Sequence, residues 1–387
     1  MLLFLIPYVL LYGLLHLYVW RWVGPTLRGC RWSGRAFVGF VIAMAALPIL
    51  LRMTEHYDGF LAARLIGWVG YSWLVAVLLL IATGLFADAW NFVVWVLGRI
   101  MPAASSYRFR PRAVVTVSAG LFVLFAGWGS WEVRDIRLRT ITIETPRLPA
   151  DAAPLRIAQI VDLHLGLSVG RGQLDRVVRL VEEARPDVLL CAGDLFDSQS
   201  GEMETLADRL GRLKFPLGKY AVLGNHEYFI GLKRSLHLLE RAGFKTLRQE
   251  MAAVRGGTTE VRIAGVDDPG GRFLGAECRP DENAVLVHAA DRPYTILLKH
   301  QPVVSPRALG GFDLQLSGHT HAGQIFPFHA VVRLMYRHFT GAYDLADGSR
   351  LYVSPGAGVW GPPIRVLARP EVTLFVIRPA PRPRMES

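Results

Sequence analysis

Five short segments of this chain carry Asp, His and Asn side chains at spacings that could hold metal ions: Asp162-Leu163-His164, Gly193-Asp194-Leu195-Phe196-Asp197, Gly224-Asn225-His226-Glu227, Lys299-His300-Gln301, and Gly318-His319-Thr320-His321. Each follows a short apolar run that reads as a β-strand. Ligands gather at the carboxyl ends of strands in open α/β sheets. Asp-x-His and His-x-His put two side chains on one side of an extended segment, because side chains alternate with period two. The glycines before Asp194, Asn225 and His319 let the backbone turn sharply beneath such a site. These segments contain no cysteine, so the donors are oxygen and nitrogen only, a set suited to Mn, Fe or Zn. Two cations about 3.5–4 Å apart can share a carboxylate, activate a water and clamp a phosphate ester. The remaining histidines (His16, His56, His237, His288, His329, His338) lack this placement and read as structural.

The elements that must position these groups alternate. Strand-like runs fall at Leu155–Val161, Asp187–Cys191 and Tyr220–Leu223; helical spacing falls at Gln173–Ala184, Met203–Leu213 and Leu232–Ala242. This βαβαβ order implies an α/β sheet with helices outside. Further strands are expected at Val261–Val266, Tyr294–Leu298, Phe312–Leu316, Leu351–Val353 and Val372–Ile377.

The segments in order, DxH, GDxxD, GNHE, H and GHTH, resemble the calcineurin-like metallophosphoesterase superfamily over roughly residues 153–378. Gly265-Val266-Asp267-Asp268, Gly318-HTHAGQI and Trp360-GPPIRVLARPE resemble its membrane-associated YkuE/YaeI-type branch. Two departures are Ala322, where that branch has Gly, and Ser354-Pro355-Gly356, where a basic residue follows Ser. The resemblance implies an αββα two-sheet sandwich with two divalent metal ions. One would take Asp162, His164, Asp194 and His321; the other Asp194, Asn225, His300 and His319. His226 would protonate the leaving oxygen or steady the phosphoryl group, and Asp197 would orient a histidine. Glu227 is either similar or surface. Trp360 and Arg365 would lie beside the site, with Arg365 touching substrate phosphate.

The first third is of a different kind. The whole chain has 387 residues, 52% of them hydrophobic, and a formal charge of +11. Residues 1–140 hold 13 Arg and five acidic residues, a net +8; the rest is +3. Uncharged stretches suit spanning helices at about 1–20, 36–51, 65–87 and 113–131, since a span needs about 20 apolar residues. Residues 1–20 lack the basic start of a secretory signal and read as an uncleaved span. Arg21, Arg28, Arg31 and Arg35 in the first loop and Arg99, Arg108, Arg110 and Arg112 in the third mark the cytoplasmic side. The expected organisation is a four-helix transmembrane domain (1–131), a linker (132–152), a catalytic domain (153–378) outside the cytoplasm, and a loose tail (379–387). His16 and Asp88, near span ends, are expected to snorkel to the interface. Cys30, Cys191 and Cys278 are too few and too scattered for a disulfide framework.

These features point to a multi-pass protein of a bacterial cell membrane, acting on a phosphate ester that is an envelope lipid or lipid-linked. A metal- or lipid-binding sensor with a weak esterase domain is the alternative, and a nuclease a lesser one. The catalytic half is near charge balance and lacks a basic, aromatic-interleaved patch, so no nucleic-acid partner is expected. No obligate protein partner is expected either.

Overall fold

In the computed structural model, residues 2–27, 32–56, 60–257, 259–275, 278 and 280–381 are described. Arg28, Cys30 and Arg31 of the first basic loop, and 382–387 of the expected tail, lie outside them. The chain divides into two compact units, Met1–Gly129 and Ser130–Ser387.

The first unit is built of α1 (Leu2–Val23), α2 (Ser33–His56), α3 (Phe60–Leu97) and most of α4 (Pro111–Glu132). Among the described residues, Leu61–Leu97 and Pro111–Glu132 are long and apolar enough to cross a membrane; Ser33–Leu47 is a shorter apolar helix. At about 1.5 Å per residue, the unbroken 38-residue α3 is longer than a bilayer core is thick. Its apolar residues point outward as well as in: Phe86 on α3 and Val123 on α4 are exposed, the reverse of a soluble bundle. Inside, Val19, Trp22, Val77, Leu80 and Ala87 pack together. His16 and Asp88 find their partners within this bundle, whereas Trp22 Nε1 is buried without one. His16, expected to snorkel, is instead buried, facing Tyr12 O at 2.8 Å and receiving Trp73 Nε1–H at 3.0 Å. Asp88 accepts from Tyr18 Oη and Arg21, both at 2.7 Å.

The second unit runs β1 (Arg137–Thr145), β2 (Leu155–Ile160), α5 (Arg171–Ala184), β3 (Val188–Cys191), α6 (Glu202–Gly211), β4 (Lys219–Ala221), α7 (Asn225–Phe229), α8 (Leu232–Arg241), β5 (Lys245–Thr246), β6 (Glu250–Gly256), β7 (Thr259–Gly265), α9 (Gly270–Phe273), β8 (Tyr294–Leu298), β9 (Leu314–Ser317), α10 (His329–Met335), β10 (Gly341–Asp344), β11 (Arg350–Val353) and β12 (Glu371–Pro379). They form two six-stranded sheets, ordered β1-β12-β2-β3-β4-β5 and β10-β11-β9-β8-β7-β6. Nine residues of the expected linker 132–152 form a strand: β1 pairs in parallel with β12 from Arg137↔Glu371 to Thr145↔Pro379. Its alternation is masked by charge (Arg137, Arg139, Glu144), as befits a sheet edge.

Strands buried on both faces explain the unbroken apolar runs. In β3, Leu189 and Cys191 face α5, α6 and α8, while Val188 and Leu190 face the second sheet's Ile296, Leu298 and Leu316. The outer face of the second sheet is covered differently from the expected helical layer. Leu286, Ala308 and Phe312, from short turns and 3-10 segments, pack there on Ala264 and Leu297. Cys191 and Cys278 are buried free thiols.

Candidate metal centre

The parallel strands β2, β3 and β4 of one sheet and β7, β8 and β9 of the other end at a common edge. Asp162, Asp194, Asn225, His300 and His319 each lie within four residues of such a strand end. The backbone delivers them in an unexpected way. Asp162 and His164 (φ 50°), Asp194 (φ 52°), His319 (φ 72°) and His321 (φ 49°) are left-handed, so the paired ligands do not sit on extended segments as the period-two argument supposed. Each such residue costs about 1–2 kcal/mol, strain of the kind that collects at functional sites. The glycines also act differently from expectation. Gly193 does turn at positive φ, but Gly224 and Gly318 supply room: a Cβ there would come within 2.1 Å of Asp194 Oδ1 and 2.5 Å of Asp162 Oδ2.

Asp162, His164 and His321 form one group and Asp194, His300 and His319 another, and a third, of His164, Asp194 and His226, links them. In the first, His164 Nε2 lies 3.0 Å from His321 Nε2 and 3.7 Å from Asp194 Oδ2, with Asp162 alongside. In the second, His300 Nε2 lies 3.1 Å from Asp194 Oδ2, 3.2 Å from Asn225 Oδ1 and 3.2 Å from His319 Nδ1. His300 Nδ1 donates to Ala192 O at 2.9 Å, which turns its Nε2 toward this group. Burial, with cationic neighbours, pushes His319 down to about 3 and His321 well below its usual value, so both rings are neutral donors. Asp162 Oδ1 is buried with no hydrogen-bond partner. Facing imidazole nitrogens, an orphaned carboxylate oxygen and an all-oxygen-and-nitrogen donor set fit divalent cations.

His226 stands at the edge of this cluster. Its Nδ1 is 2.6 Å from Asp197 Oδ1, and its backbone N–H donates to Asp194 Oδ1 at 2.9 Å. Burial opposes its charge, but Asp194 and Asp197 outweigh that and push it up to about 9. Asp197 is pulled the other way: burial works against its charge, yet His226 and His164 hold it at about 2. Trp360 is 54% exposed, its ring 6.1 Å from that of His226.

Arg365 does not reach toward substrate. It is fully buried, and its guanidinium donates to Gly358 O (2.8 Å), Ala368 O (2.8 Å) and Pro355 O (2.7 Å), with one nitrogen 3.2 Å from His321 Nδ1. Its place in sequence, five residues after exposed Trp360, gave no sign of this. Arg365→Lys should therefore weaken Mn²⁺ binding by about 10–100-fold, the usual effect of losing a group behind a ligand, because one ammonium cannot hold the carbonyls of Pro355, Gly358 and Ala368 together behind His321. Calorimetric titration of the solubilised protein measures this, and wild-type affinity would refute it.

The sequence left Glu227 undecided and gave no role to Asp268 or Tyr336. Glu227 is fully buried and accepts the backbone N–H of Gly224 (2.7 Å), Asp194 (2.9 Å), Leu195 (2.8 Å) and Phe196 (3.3 Å). The available signal was its place three residues after the helix-capping Gly224. Asp268, buried just past β7, accepts from Gly270 N and Gln301 Nε2. Tyr336 Oη lies 2.7 Å from His319 Nε2.

Residues 155–323 match the family model described as calcineurin-like phosphoesterase. An uncharacterized metallophosphoesterase of Aquifex aeolicus (strain VF5) is 39% identical over 257 residues, 66% of this chain and 97% of the relative. A Bos taurus protein described as a transmembrane protein with metallophosphoesterase domain is 32% identical over 392 residues, 94% of this chain and 86% of its own. YkuE of Bacillus subtilis (strain 168), also described as an uncharacterized metallophosphoesterase, is 29% identical over 275 residues, 68% and 93% of the two chains.

Proposed function

Given that the chain belongs to the calcineurin-like metallophosphoesterases, a hydrolytic family, we propose that it is a membrane-anchored, dinuclear-metal phosphoesterase acting on a lipid or lipid-linked phosphate ester. The observation that carries this reading is Asp194, which joins a group with His300 and His319 to one with His164 and His226. Asp162, His164, Asp194 and His321 would hold one cation, and Asp194, Asn225, His300 and His319 the other. Bound there, Mn, Fe or Zn ions supply Lewis acidity and a nucleophilic water. The chain's own residues do the rest. Asp197 accepts from His226 Nδ1 and so aims its Nε2 outward, where the ring delivers a proton to the departing oxygen.

The membrane part of the proposal takes four spans, at about 1–20, 36–51, 65–87 and 113–131, with the catalytic unit outside the cytoplasm. It is supported by the two apolar helices, the basic first and third loops, and a relative described as transmembrane.

His226→Ala should lower turnover of an aryl phosphodiester by about 10²–10⁴-fold, the range for losing a general acid. The loss should shrink as the leaving phenol becomes more acidic, and bound metal should stay at the wild-type level. Turnover across a series of substituted phenyl esters measures this; an equal loss for every ester would remove His226 from the acid role.

A further inference from the structure

The catalytic unit leaves a ledge of apolar side chains in solvent beside the metal centre. Trp360, Phe326, Val331, Leu334, Met335 and Leu367 are all exposed, Leu334 at 89% and Met335 at 71%. They are joined through the main chain. Gln324 bonds the N–H and the carbonyl of Trp360 at 3.0 and 2.9 Å, Phe326 N donates to Val366 O at 3.2 Å beside Leu367, and the Phe326 ring meets His329 at the start of α10. The same helix region carries Arg333 and Arg337, both exposed and forming no ion pair among the described residues. A soluble surface seldom places so many large apolar groups together.

What covers this ledge follows from the way the chain enters the unit. The last residue of α4, Glu132, accepts the N–H of Leu367 at 3.1 Å and of Ala368 at 2.7 Å. Arg369 lies 5.8 Å from the Trp131 ring and pairs with Asp135 at 3.3 Å. The ledge is thus tied to the end of a helix long and apolar enough to span a bilayer. Trp and Arg are the residues that settle at headgroup level. Apolar side chains flanked by unpaired Arg suit insertion about 5–10 Å into that boundary.

We propose that the ledge of α10, Trp360 and Leu367 lies on the phospholipid surface, with Leu334 and Met335 inserted and Arg333 and Arg337 on lipid phosphates, so that the metal centre takes its ester directly from the membrane. This rests on the reading of α4 as a spanning helix.

The test uses the full chain in nanodiscs of zwitterionic and anionic phospholipid, in a Cys30→Ser background, since the other two cysteines are buried. An environment-sensitive fluorophore is placed at Leu334→Cys, at Val123→Cys on exposed α4, and at Asp344→Cys at the far end of the second sheet. Doxyl-labelled lipid should quench the Val123 and Leu334 probes to about half their emission or less, as expected for membrane-inserted side chains, and leave the Asp344 probe unchanged. An unquenched Leu334 with a quenched Val123 overturns the docking alone and assigns the ledge to a protein partner or a second copy. An unquenched Val123 overturns the spanning helix and the docking with it. Arg333→Glu with Arg337→Glu should reduce Leu334 quenching most strongly in anionic discs; quenching independent of lipid charge removes the phosphate contacts from the proposal.

Discussion

Asp194→Asn should all but abolish hydrolysis, lowering turnover of an aryl phosphodiester in Mn²⁺ by about 10³-fold, as expected when several kcal/mol of metal-based stabilisation is lost. One carboxylate oxygen faces both His300, at 3.1 Å, and His164, at 3.7 Å, while the other holds the His226 N–H at 2.9 Å. An asparagine keeps one oxygen and no charge. It cannot satisfy the backbone of His226 and also serve two groups of imidazoles. Bound metal should therefore fall along with rate, and elemental analysis after gel filtration measures both the count and the loss. A variant retaining wild-type turnover, or a full complement of metal with no turnover, would each break the shared-carboxylate reading. The second result would point instead to a binding module.

The largest effect on stability is expected at Glu227, which sits on the far side of the same loops. Its carboxylate gathers four backbone N–H groups from the turns that carry Asp194 and Asn225. Glu227→Ala leaves those donors buried without partners, at about 1–3 kcal/mol each. The sum approaches the whole stability of an ordinary domain, about 5–15 kcal/mol. The variant should unfold near or below ambient temperature, or fail to accumulate. Glu227→Gln keeps an oxygen and the shape, and should fall between it and the wild type. Thermal unfolding followed by circular dichroism on metal-free protein separates this from metal linkage. Trp360→Ala, at an exposed ring beside the same cleft, serves as the comparison and should unfold close to the wild type. Equal midpoints for Glu227→Ala and Trp360→Ala would show that the four N–H bonds to Glu227 contribute little to stability.

Much of the candidate cluster could be read from the chain because strand ends leave a strong local mark. An apolar run closing on Gly-Asp, Gly-Asn-His or Gly-His-x-His is visible without knowing what the strand pairs with. The conformation of those residues was not visible, since nothing local forces Asp162 or His321 to positive φ. The surrounding loops impose it. Arg365 shows the same limit in another form. An arginine in a Pro- and Gly-rich stretch reads as surface, and only the convergence of the carbonyls of Pro355, Gly358 and Ala368 explains its burial. Strand β1 went unread because its partner, β12, is the last strand in the chain, and the burial that would betray its alternation exists only after they meet. The helices α5 and α8 were legible for the opposite reason: their apolar stripes lie within one short segment.

That pairing of the first strand with the last has a consequence for biosynthesis. Strand β12 lies between β1 and β2, in the interior of its sheet, yet it is the final strand to be made. Until residue 379 has been translated, β1 has no neighbour and β2 presents an open edge, both adjacent to a segment that is already apolar enough for the membrane. Such an interval invites pairing with other nascent chains. The charges of Arg137, Arg139 and Glu144 along β1 are then guards for a strand that must wait its turn, and their neutral replacement should cost yield of folded protein during expression before it costs anything in the finished enzyme.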